Sequence, residues 1–181
     1  QSPKAYVRAL TPSLEEIWNM ELSKYVEDSF LPDKTDIYGF YTLPAAYGLL
    51  VLEDESILVV AAHAWNKEGV FTNRSQIILL SPKGAVLRKY PQDPADTIFK
   101  HPVLNREQNL VLFSSMCSAC ETGTEPKNGT KDGAVLLSVD SFEVQNHFSM
   151  DPLRPHFNKA QIWKALSLAD EHVLIGYNDG Q

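Results

Sequence analysis

The feature that most constrains this chain is a pattern of short apolar runs that recurs along it. Leu52, the polar turn Glu53-Asp54-Glu55 and the pair Leu58-Val59 match Leu104, Asn105-Arg106-Glu107 and Leu110-Val111. They match again Leu168, Ala169-Asp170-Glu171 and Leu174-Ile175. Leu79-Leu80-Ser81 answers Leu136-Leu137-Ser138, each followed by a turn and one more β-type run. The runs themselves are Gly48–Leu52, Ile57–Trp65, Gln76–Ser81 and Ala85–Tyr90, then His101–Leu104, Asn109–Met116, Ala134–Val139 and Phe142–Phe148. Ile162–Leu168 and Glu171–Tyr177 open a third group. Turn chemistry separates them, as at Pro82-Lys83-Gly84 and Asp140-Ser141. Four-stranded repeats of about 40–60 residues read as propeller blades, because one such sheet cannot bury both faces and must stack on its neighbours. The expectation is a mainly β fold: blade-like four-stranded antiparallel repeats, a partial β-propeller, with one N-terminal α-helix. A β-sandwich whose hairpins look alike is the alternative.

The first 37 residues read differently from residues 38–181. Thr11-Pro12-Ser13 looks like a helix start, with Glu16 three residues after Ser13 as in a capping box. Leu14, Trp18, Leu22, Tyr25 and Val26 follow at three- and four-residue steps, so a helix is expected from there to about Ser29. At the other end, Asn178-Asp179-Gly180 is a hairpin turn signal with no second strand behind it. The β-repeat region is therefore expected to be interrupted there.

Composition limits the function classes. The 181 residues are 44% hydrophobic, and 16 Lys+Arg against 23 Asp+Glu give a net charge of −7. That apolar content supports a folded core rather than disorder. The acidic balance lacks the positive surplus that phosphate binding needs, so no nucleic-acid partner is expected. The longest apolar run, Ile57 to Trp65, is too short for a membrane span of about 18–20 residues. There is no Gly-rich phosphate loop, nucleophile elbow or His-Glu-x-x-His. No cofactor and no metal is expected.

His101-Pro102-Val103-Leu104, a polar turn and Asn109–Phe113 resemble the blade opening of sialidase-like and related glycosidase propellers, as do Leu43-Pro44, Leu52 and Ile57–Val60. The turns at Ser81–Gly84 and Ser138–Ser141 fall where that family carries its Asp-box turn. The resemblance implies a ring of blades around a channel and a glycoside hydrolase that grips a carboxylate with arginines. The chain departs from it: Tyr41-Thr42 precede Leu43-Pro44 where an arginine is implied, and Ala62-His63-Ala64 carries no acid. Two and a half blades also cannot close a ring.

Candidate residues follow from these readings. Asp36, at the start of the first blade, and His63, inside an apolar strand, are the weak catalytic candidates. Strand alternation puts His63 on one face with Val59 and Ala61, where it is a core residue or lines a channel. The loop Glu121–Asp132 and its counterpart Asn66–Ser75 are expected to project from one blade edge. Trp65, Asn66, Glu68, Thr122, Glu125 and Asn128 are therefore the candidate binding residues; Trp65 and Trp163 stack on a sugar or fill space between blades. Cys117-Ser118-Ala119-Cys120 reads as a local disulfide, with free thiols, half a metal site or a redox pair as alternatives. The triplets Asn73-Arg74-Ser75 and Asn128-Gly129-Thr130 fall in expected surface loops but are common by chance and do not decide the compartment. The start at Gln1 fits a processed secretory product or an arbitrary boundary of the sequence, and a secreted, periplasmic or extracellular protein is expected. The function expected is an exported, non-catalytic module that binds a protein partner, a second chain completing the β-ring, or a glycan. The alternative is part of a propeller glycoside hydrolase.

Overall fold

The computed structural model describes residues 4–26, 44–67, 70–117, 133–149, 161–167 and 172–178. Among them the chain is mainly β and its sheets are antiparallel. A hairpin, β1 (Tyr6–Leu10) and β2 (Glu16–Glu21), is followed by one helical turn, α1 (Ser23–Val26). The first sheet is a meander of β3 (Ala45–Val51), β4 (Ile57–Lys67), β5 (Val70–Leu80) and β6 (Val86–Ala95). The second repeats it with β7 (Thr97–Leu104), β8 (Leu110–Cys117), β9 (Gly133–Ser138) and β10 (Val144–Ser149). A last hairpin pairs β11 (Gln161–Ser167) with β12 (Val173–Asn178). The four-stranded repeats expected from sequence are thus present as sheets.

The expected N-terminal helix is not formed. Residues 6–21 make the β1–β2 hairpin, and only Ser23–Val26 is helical. In the strands, Val7 and Met20 turn inward while Tyr6, Arg8 and Leu10 stay exposed. Trp18 Nε1 donates to Pro82 O at 3.0 Å and ties the hairpin to the first sheet.

The sheets stack face to face. Leu58, Val60, Ile77 and Leu79 of the first meet Phe99, Val111, Phe113, Val135 and Leu137 of the second in one buried cluster. The Phe99 and Phe113 rings pack edge to face at 6.4 Å. On the opposite face of the first sheet, Val59, Ala61, Ile78 and Leu80 meet Val7, Met20, Leu22 and Val26. That is why Leu58–Ala62 reads as a continuous apolar run: β4 is covered on both sides. β3 and β7 approach closely, and a Cβ on Gly48 would collide with the Pro102 ring.

A hydroxyl-closed turn occurs three times, at Thr11, at Ser81 and, one residue longer, at Ser138. Thr11 N–H bonds to Glu15 O at 2.8 Å, and the Thr11 hydroxyl accepts the Glu15 amide at 3.1 Å. Ser81 repeats both bonds with Ala85, at 2.8 and 3.1 Å. Ser138 bonds to Glu143 O at 2.9 Å, and its hydroxyl accepts the Ser141 amide at 3.2 Å. Each turn ends on a left-handed residue: Leu14, Gly84 and Phe142 at φ 68°, 80° and 58°. A hydroxyl that bonds its own backbone holds such a turn closed. In both four-stranded sheets this turn joins the third strand to the fourth, and in the N-terminal hairpin it joins β1 to β2.

Candidate functional site

Toward the β4–β5 hairpin both faces of the first sheet change from apolar to polar. His63 and Gln76 are buried on the face of Val59 and Ile78, Asn73 and Ser75 on the face toward the second sheet, and Thr97, Lys100 and Ser115 are buried in the second sheet. The pairing explains this division: β4 and β5 run in unbroken register from Ile57↔Leu80 to Lys67↔Val70, so His63 stands opposite Arg74 on one face and Ala64 opposite Asn73 on the other.

Most of these groups are used inside the protein. The Ser75 hydroxyl donates to Thr97 O at 2.6 Å and accepts the Phe99 amide at 3.1 Å, stitching the two sheets together. Gln76 Nε2 donates to the carbonyls of Pro91 and Gln92 at 2.9 and 2.8 Å. Those bonds hold the bulge of β6, where pairing jumps from Ile77↔Tyr90 to Ser75↔Ala95. Arg74 forms an ion pair with Asp96 and donates to Asn73 O at 2.9 Å. An arginine so engaged is not held open for a substrate carboxylate. The Asn73 side-chain amide is fully buried, and neither its oxygen nor its nitrogen has a partner among the described residues.

Among the described residues three ionisable groups are displaced, each for a local reason. The Glu21 carboxyl is pulled below the usual range by its bonds to Lys4 Nζ and the Ser23 hydroxyl. The Asp54 carboxyl is lowered by the Ser56 hydroxyl and amide, which close the β3–β4 turn. Burial raises the Tyr90 phenol, which packs on Phe99 with ring centres 6.1 Å apart. Glu21 and Asp54 serve turns and strand ends rather than a shared cleft.

His63 is fully buried on the face that carries Val59 and Ala61, the side strand alternation indicates. Asp36, Glu68, Thr122, Glu125, Asn128 and Cys120 lie outside the described residues, so the expected disulfide and the 121–132 loop do too. Trp65 and Asn66 are in β4, backbone-paired with Thr72 and Phe71. The loop expected over Asn66–Ser75 is instead a close hairpin, because β4 runs on to Lys67 and β5 begins at Val70. Asn73 and Ser75 are buried strand residues as a result, and the Asn73-Arg74-Ser75 triplet is not in a surface loop.

What sequence reasoning missed was the third copy of the turn. Leu10-Thr11-Pro12 and Leu80-Ser81-Pro82 differ by one hydroxyl residue for another, and that likeness was the available signal. Among the described residues, no group of three or more His, Cys, Asp or Glu is arranged to hold a metal ion. No helix among them is long and apolar enough to cross a membrane. No protein-family model matches this chain, nor does any curated protein or solved structure.

Proposed function

We propose that the chain is a non-catalytic binding module built from consecutive propeller-type blades, which engages a protein partner or a glycan along one blade edge. The observation that carries this reading is the recurrence of a hydroxyl-closed turn, at Thr11, Ser81 and Ser138, in units that stack face to face. The binding edge is the one where second strands pass to third strands. The β4–β5 hairpin turns there next to Trp65 and Asn66, and the segment carrying Thr122, Glu125 and Asn128 joins β8 to β9. The net charge of −7 favours a basic surface on a protein partner and speeds encounter with it. The sialidase-like resemblance gives the family of scaffolds, and the engaged Arg74 and buried His63 weigh against hydrolysis. Export fits a Cys117–Cys120 disulfide.

The test exposes the purified chain to an array of oligosaccharides and basic peptides, and separately to a fluorogenic sialoside. Saturable array binding that Trp65→Ala weakens, with no fluorophore released, is the expected result. Release of the fluorophore transfers the assignment to the propeller glycoside hydrolase. Absence of binding on the whole array overturns the module.

A further inference from the structure

We draw no further inference here: the strongest candidate, the exposed apolar strip that Leu49 and Val51 of β3 form on the outer face of the first sheet, carries nothing because no feature of the structure shows what covers it.

Discussion

The Ser75 hydroxyl accepts the backbone N–H of Phe99 at 3.1 Å, so a side chain of one sheet acts as a strand neighbour for the first strand of the next. The same oxygen donates to Thr97 O at 2.6 Å. Ser75→Ala leaves a buried amide and a buried carbonyl without these partners, at about 1–3 kcal/mol for each group. In a chain of this size the melting temperature is expected to fall by roughly 5 °C or more in calorimetry. An unchanged melting temperature would mean that other groups satisfy Thr97 and Phe99.

Gly84 has φ 80°, and a Cβ there would lie 2.6 Å from the Trp18 ring. Gly84→Ala combines a left-handed backbone, costing about 1–2 kcal/mol, with displacement of the indole from the Pro82 carbonyl. The expected signs are a lower urea midpoint and a red shift in tryptophan emission, as Trp18 comes away from the first sheet. Trp18→Phe abolishes that shift if the assignment holds.

Asn73 buries an amide whose two polar atoms lack partners among the described residues. An apolar residue of similar shape removes that desolvation cost, so Asn73→Leu is expected to be neutral or stabilising by about 1 kcal/mol in urea unfolding. The same burial predicts that Asn73 carries no glycan when the chain is expressed through a secretory route. A glycosylated Asn73 peptide in mass spectrometry would contradict the placement of β5.

Tyr90 supplies the pH dependence. Its folded pKa is raised from 10.0 by burial, so the neutral phenol is favoured in the folded state. The resulting stability is fully present below the unfolded value near 10.0 and is lost as pH rises through the folded value. The wild type is expected to lose stability more steeply than Tyr90→Phe above about pH 10, as read from urea midpoints. Parallel curves would place the phenol in water.

The proposed export carries the expectation that Cys117 and Cys120 are joined. Intact mass after alkylation without reductant should then show no adduct, and two adducts after reduction. Alkylation of both without reductant would remove the disulfide and the support it lends to export.

The strands from Ala45 onward were legible because each combines β-type residues with a bounding turn, and the observed ends fall within a few residues of the expected ones for most of them. Two elements were misread for identifiable reasons. Thr11-Pro12-Ser13 contains the residues of a helix cap and equally those of a hydroxyl-closed turn, since the same side chain can bond either backbone. The steps from Leu14 to Trp18 to Leu22 imitate a helical stripe, yet Leu14 is exposed while Trp18, Met20 and Leu22 alternate inward along an extended chain. The start of β5 reads as a loop because Asn73, Arg74 and Ser75 are polar; Arg74 is engaged by Asp96 and Ser75 by Thr97 and Phe99, which no local pattern reveals. Of the candidate site, only the face occupied by His63 could be read in advance.

β6 ends at Ala95 and β7 begins at Thr97, leaving Asp96 alone between the two sheets, and Asp96 is itself held by Arg74. Such a junction offers a protease no slack ribbon to enter. It also gives the sheets no leash on which one could melt while the other stays intact. Under load applied along the chain, strain at the end of the first sheet passes through one anchored residue into the second. The pair should therefore yield as a single mechanical element.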